Sequence, residues 1–435
     1  MMNKTHGRAG AVVAVSVVAA LALVGCGGSD GDGKEAGGDE QITLTIATFN
    51  EFGMDPLIEE YQQLHPEIKI EHKRAATSDE ARENMYSKIA AGSGLSDIEY
   101  VEVDWMPELL KYSEYLNDLS DPAVEGRWLD WKLKGGMDAE GRLIGYGLDV
   151  GPEAICYRAD LFEQAGLPTD RAEVAELFGG DNASWEKYFE VGRQYLQAAP
   201  DGSKWFDEAA SIYQGMVNQL EYPYEDQDDN VIADTNPDVK ALYDQVTAAA
   251  LDDGLSAGLA QWNDDWGQAF QNGAFATILC PSWILGPIQD YAAGVTGWDV
   301  ANVFPGGGGN WGGSYATVPT QTKHFDEAKA FALWLTAPEQ QVKTFENAGL
   351  FPSTPDATTD PAVTGYSHTF FNNAPTGEIY AERAEAVTVL PHKGPNYFAV
   401  QNTAMIPALR RVDVDKTDTA QASWDKFVDE IQQYK

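Results

Sequence analysis

The chain has 435 residues, 68 acidic against 29 basic, and a formal net charge of −39. That balance excludes a nucleic-acid partner and disfavours an anionic membrane surface, because both need clustered Lys and Arg. Hydrophobic residues at 43% and charged residues at 22% exclude disorder throughout, while 12 Trp and 19 Tyr supply the side chains that a polar, ring-shaped ligand needs.

The first ten residues carry Lys4 and Arg8 and no acid, and an apolar run follows over 11–24. A helix of that length spans about 21 Å, short of a bilayer core of about 30 Å, so 1–25 is predicted to be an export signal. Leu23-Val24-Gly25-Cys26 resembles the bacterial lipobox, which would make Cys26 the lipid-modified first residue of the mature protein. Residues 27–40 are largely Gly, Ser and charge, with nothing to bury, so 26–40 is expected to be a lipidated Cys on a flexible acidic tether. Loss of 1–25 would leave 27 basic side chains against 68 acidic, a mature charge of −41.

From Gln41 onward short apolar strands alternate with amphipathic helices. Residues 42–47 read as a strand, 56–64 as a helix with Leu57, Ile58, Tyr61 and Leu64 at helical spacing, and 68–70 as a second strand. A helix over 78–91 follows, with Ser78 as its N-cap and Ala81, Met85 and Ile89 on one face, and then a third strand over 97–103. Crossovers of this length permit parallel pairing, which places the chain in the α/β class. After a strand at 153–157 the chain becomes helix-rich over 161–295, most clearly at 185–198, 238–251 and 266–272. Strands at 276–280, 298–303 and 314–318 flank a glycine-rich loop over 306–313, and a helix over 326–335 follows. This return to alternation after a helical excursion is expected of a chain that crosses between two lobes more than once.

Several motifs fall short of the chemistry they suggest. Gly307, Gly309 and Gly312 spell G-x-G-x-x-G, but a strand follows where a dinucleotide site needs a helix N-terminus. Gly312-Gly313-Ser314-Tyr315-Ala316 lacks the last Gly and the helix of a nucleophile elbow. Asp226-Gln227-Asp228-Asp229-Asn230-Val231 opens like a calcium loop, lacks Gly at its sixth position and has Pro237 at its twelfth, and reads as a solvated hairpin turn. Cys156 and Cys280 each end an apolar stretch; a disulfide and two buried thiols are both open, and no C-x-x-C spacing supports a metal. No cofactor or metal is expected.

Carboxylates beside aromatics offer two chemistries. Glu51 before Phe52, Glu102 and Asp104 before Trp105, and Asp264 and Asp265 between Trp262 and Trp266 fit the acid and base of a secreted glycoside hydrolase. The same residues fit a sugar site without catalysis, in which carboxylates accept hydroxyl hydrogen bonds and rings cover pyranose faces. Trp105, Trp283 and Trp311 each follow a strand and enter a turn, where ligands of open α/β sheets bind. Trp128, Trp131, Trp185, Trp205, Trp334 and Trp424 sit in helical contexts and read as packing.

Asn310-Trp311-Gly312-Gly313-Ser314-Tyr315-Ala316-Thr317-Val318-Pro319, followed by 324–331 and 334–340, resembles the hinge strand and next helix of the family 1 extracellular solute-binding proteins of ABC sugar importers. Cys280-Pro281-Ser282-Trp283 is similar to that family's strand-to-helix turn with a ligand-stacking aromatic, and 155–162 to its first crossover. The resemblance implies a two-lobe periplasmic-binding-protein-like α/β fold with interleaved lobes, 41–149 plus 299–349 forming the first and 150–298 plus 350–435 the second. It further implies a monomeric, non-enzymatic binder of oligosaccharides that works with ABC permease subunits at the outer face of the cell membrane. Matched by position, the ligand residues would be Asn50, Glu51 and Phe52; Glu102, Asp104 and Trp105; Trp283; Trp311, Gly312, Gly313 and Ser314; and Asn396 and Tyr397. The spelling around Trp283 and Trp311 is most like actinobacterial binders of cellobiose and related β-linked gluco-oligosaccharides.

Overall fold

A computed structural model describes residues 41–200 and 202–435. The export signal, Cys26 and the tether lie outside the described residues. No helix among the described residues is long and apolar enough to cross a membrane.

The chain opens with β1 (Ile42–Phe49), the helix Asp55–Leu64, β2 (Ile68–Ala75), the helix Ser78–Ala91 and β3 (Ile98–Glu102). β1 lies parallel to both β2 and β3, as crossovers of helical length require. Thr77, not Ser78, caps the second helix, its hydroxyl accepting the Glu80 N–H at 3.2 Å. The caps differ by one residue because Thr77 has the extended backbone a cap needs while Ser78 is already helical.

β4 (Gly145–Gly147), β5 (Asp149–Val150) and β6 (Glu153–Arg158) carry the chain out of the first lobe. After the helical excursion come β7 (Thr277–Pro281) and β8 (Trp298–Ala301), and then β9 (Ser314–Thr317) and β10 (Phe351–Pro352). The first sheet has the order β2-β1-β3-β9-β4, and the second β7-β6-β8. Alternation on the second sheet is strict. Ile155, Tyr157, Leu279 and Ala301 face one core, whereas Ala154, Cys156, Ile278, Cys280 and Val300 face another, as a two-residue period demands.

The lobes interleave differently from the sequence-based boundary at 299. β8 pairs antiparallel with β6, Ile155 opposite Ala301, so the chain is still in the second lobe there and returns only with β9. Apolar spelling marks a strand at 298 but not which sheet it joins. β5 and β10 pair with each other, Val150 opposite Phe351, and form a separate two-stranded hinge. The third crossing runs beside it: Pro152 bridges Asn310, and the Trp311 N–H donates to the Gly151 carbonyl at 2.8 Å. A Cβ on Gly151 would lie 1.7 Å from the Trp311 carbonyl oxygen, so only glycine lets these crossing backbones touch.

Cys156 and Cys280 are joined as a disulfide between β6 and β7, with Cα atoms 5.4 Å apart. The register, Ala154 opposite Cys280 and Cys156 opposite Ile278, puts both on one face of the sheet. The acidic turn is a hairpin: Glu225 bridges Val231, and the Asp226 carboxylate accepts the Asp228 and Asn230 N–H groups at 2.9 and 3.0 Å.

Candidate functional site

A cleft of about 890 Å³ opens between the lobes. Its first-lobe wall is made by the loops after β1 and β3, and its second-lobe wall by Trp262, the turn after β7 and the helical segment around Asn402 and Arg410. Gly312, Gly313 and Ser314 of the return crossing form part of its floor.

Ten of the sequence-predicted residues converge here: Asn50, Glu51, Phe52, Glu102, Asp104, Trp283, Trp311, Gly312, Gly313 and Ser314. Asn50 turns the chain out of β1 with φ 48, a left-handed conformation that Asn tolerates. Glu51 is tied to Arg74 and accepts the Gly53 N–H at 2.8 Å. Phe52 packs edge-on against Phe49 and Tyr100, only its rim reaching the cleft. Gly313 has φ 120, and a Cβ there would sit 2.9 Å from the Asp149 carbonyl oxygen and 3.0 Å from the Lys132 ammonium. At Gly313 the floor is therefore bare backbone by necessity.

Three predicted residues lie elsewhere. Trp105 is 0% exposed, packs with Met85, Met106 and Leu109, and donates its indole N–H to Ser78 Oγ at 3.1 Å. It follows β3 as expected, but its side chain turns into the core. Asn396 spends its backbone and side-chain N–H groups on Glu225 Oε1, both at 3.0 Å. Tyr397 is buried within the second-lobe core, with Tyr224 5.2 Å away. The neighbouring Phe398 reaches the cleft instead.

The aromatic surface is larger than expected. Trp283 donates its indole N–H to the Trp311 carbonyl at 2.7 Å, and its ring meets Trp311 edge-on at 5.8 Å. Trp262, 39% exposed, stacks on Trp283 at 6.0 Å and 25°. Trp262 holds φ 72, where a bulky side chain is strained by about 1–3 kcal/mol. A turn-borne Trp before the Asn263 cap was the available sequence signal, obscured by the helical patterns around it.

Phe398, Asn402, Ile406 and Arg410 also line the cleft, at a constant spacing of four. Phe398 caps a π-helical segment, Ala399–Met405, which carries Asn402 and runs into the helix Ile406–Asp413 bearing Ile406 and Arg410. Pro407 has no N–H for the Thr403 carbonyl, so a wider turn is a natural entry to this helix. The i, i+4 series was visible in the sequence; which face looked outward was not.

Charge in the cleft is one-sided. Arg410 is the only Lys or Arg among the described lining residues, and it is spent on Glu208 through bonds of 2.9 and 2.7 Å. Asp104 pairs with Lys393 of the second lobe, both side chains 10% exposed. Burial, reinforced by Asp104, pushes the Glu102 carboxyl well above its ordinary value, and it accepts the Asp104 N–H at 2.8 Å. Lys132, buried under the floor, is lowered to about 8 by desolvation despite Asp149 and Glu102 nearby, and its ammonium lies 4.0 Å over the Tyr315 ring. No group of three or more His, Cys, Asp or Glu among the described residues is arranged to hold a metal.

Aromatic faces, carboxylates and amides lining one cleft between two lobes are suited to bind a polar ring compound. Comparison with known proteins agrees with that capacity. Residues 56–372 match the family described as bacterial extracellular solute-binding protein. A solved structure of an extracellular solute-binding protein of family 1 is 47% identical, with TM-score 0.79, over 90% of this chain and 99% of that one. An ABC transporter associated binding protein from B. animalis subsp. lactis Bl-04, solved with beta-1,6-galactobiose, has TM-score 0.76 at 17% identity, over 90% of this chain and 97% of that one, a likeness of fold. An arabinooligosaccharide-binding protein of Bacillus subtilis (strain 168) is 24% identical over 340 residues, 74% of each chain.

Proposed function

The chain belongs to the bacterial extracellular solute-binding proteins, and on that premise we propose that it captures a neutral oligosaccharide between its lobes and delivers it to an ABC permease. The observation that carries this reading is the stacked Trp262–Trp283 pair with Trp311 at its edge, facing the carboxylates of the first-lobe loops. Pyranose rings offer the apolar faces that such indoles cover, and hydroxyls offer the donors that carboxylates accept. A cleft whose single guanidinium is already paired repels uronic acids and sugar phosphates.

The ligand favoured is a short β-linked gluco-oligosaccharide such as cellobiose or cellotriose. The Bacillus relative's name points instead to arabino-oligosaccharides, and the two readings separate in one experiment. Thermal unfolding is followed with cellobiose, cellotriose, xylobiose, chitobiose, lactose and arabinotriose at equal concentration. A ligand that binds only the fold raises Tm. The proposal expects the largest rise with a cello-oligosaccharide; a rise confined to arabinotriose transfers the ligand class to pentoses, and no rise with any sugar removes the sugar reading.

Hydrolysis of the bound sugar is a poorer fit. Glu102 ends β3 and Asp104 lies two residues on, so this pair would sit on one side of a glycosidic bond, whereas hydrolysis uses carboxylates flanking it; Glu51 is tied to Arg74, and Glu208 on the other wall to Arg410. Attachment to the outer face of the membrane through lipid on Cys26 is part of the proposal: Cys26→Ala should move the protein from the membrane fraction into the medium, and retention in the membrane would refute the anchor.

A further inference from the structure

We propose that Asp207 and Glu208 are positioning residues for ligand binding, acting through Trp262; this rests on the sugar-site reading above. A backbone strained at φ 72 persists only where its surroundings over-determine it, and both neighbours of Trp262 are pinned. On one side, the Gln261 backbone N–H donates to Glu208 Oε1 and its side-chain amide to Asp207 Oδ2, both at 2.8 Å. On the other, the Asn263 side chain accepts the Trp266 N–H at 2.8 Å and starts the next helix.

The ring is supported as well. Trp266 lies 5.1 Å beneath Trp262 and is itself fixed by its indole N–H, which donates to the same Asp207 Oδ2 at 3.0 Å. The second Asp207 oxygen accepts the Ser211 hydroxyl at 2.5 Å and the Glu208 N–H at 2.8 Å. Asp207 is 0% exposed, and four donors around one carboxylate occupy its acceptor sites. Glu208 is balanced by Arg410, which ties the clamp to the helix lining the opposite part of the cleft. Two adjacent buried carboxylates are costly unless fully bonded, and here three of their seven bonds go to the segment bearing Trp262 or the ring below it.

A double-mutant cycle tests this, with affinities measured by calorimetry for the sugar that gives the largest thermal shift. Asp207→Asn should weaken binding about tenfold in the wild-type and Trp283→Ala backgrounds and less than about twofold once Trp262 is Ala. Equal losses in all three backgrounds, or no loss in the wild type, overturn the proposal. Should Asp207→Asn fail to fold, Trp266→Phe, which removes the indole bond to Asp207 from a residue that does not line the cleft, must show the same pattern. A ligand-free readout separates this idea from the sugar reading: the fluorescence difference between wild type and Trp262→Phe reports Trp262 alone. Acrylamide quenching of that difference should rise in Gln261→Leu even if no sugar binds, and unchanged quenching contradicts the clamp.

Discussion

A ring stacked on an indole gives up little of its own freedom because the indole has little to lose, and this makes Trp262 and Trp283 the residues on which affinity should depend most. Trp262→Ala and Trp283→Ala should each weaken ligand binding by about 1–3 kcal/mol, measured by calorimetry, with the fold intact because both side chains are partly exposed. Trp283 and Trp311 were legible in the sequence because each leaves a strand for a turn. Trp262 was not, since its display depends on a left-handed backbone that no apolar period encodes. Trp105 shows the converse: position after a strand was right, and packing against Met85 and Leu109 decided the direction of the ring. Burial also sets a titration. Glu153, fully buried, is pushed up to about 8 by desolvation, while the unfolded chain titrates at about 4.3. The fold therefore holds a proton that the unfolded chain releases, and this group's contribution declines as pH rises from about 4 to 8. Glu153→Gln should raise Tm relative to wild type at pH 8 and leave it nearly unchanged at pH 4; equal shifts at both would contradict the assignment. Lys132 titrates in the opposite sense, its cost easing between about 8 and 10.5, above this window.

Strands and helices were legible where periodicity was strong, and their partners were not. β1, β2 and β3 with their helices could be read in order, and their parallel pairing followed from crossover length. The assignment of β8 to the second sheet could not, because a four-residue apolar strand suits either sheet until pairing with β6 selects one. The disulfide belongs to this scale. It joins β6 and β7 across a sequence separation of 124 residues, and a closure of that length restricts the unfolded chain strongly. Replacing Cys156 and Cys280 together with Ala should lower unfolding free energy in urea by about 2–5 kcal/mol. An unchanged midpoint would show that the pairing of β6 with β7 and β8 suffices by itself.

Between the lobes, two contacts bridge the cleft mouth. Lys393, held in a second-lobe loop, pairs with Asp104, and Arg82 of the first lobe lies 4.4 Å over the ring of Phe398. Lys393→Met leaves Asp104 buried without its partner and removes a contact made only when the lobes meet. Ligand release, followed by stopped-flow fluorescence, should become faster by about tenfold or more, with association changed much less. A slower release would mean that this pair holds the lobes apart. The acidic excess has a place at the same scale: on the proposed reading, 68 acidic side chains keep the chain soluble and select against anionic sugars before they enter the cleft. The account as a whole rests on an oligosaccharide being bound against Trp262 and Trp283 between the lobes. Calorimetric titration of cellotriose into wild type and Trp283→Ala, side by side, tests it most directly. Saturable one-to-one heat that weakens by about 1–3 kcal/mol in the variant is the predicted result; absence of heat in the wild type, or equal affinity in both proteins, would contradict it.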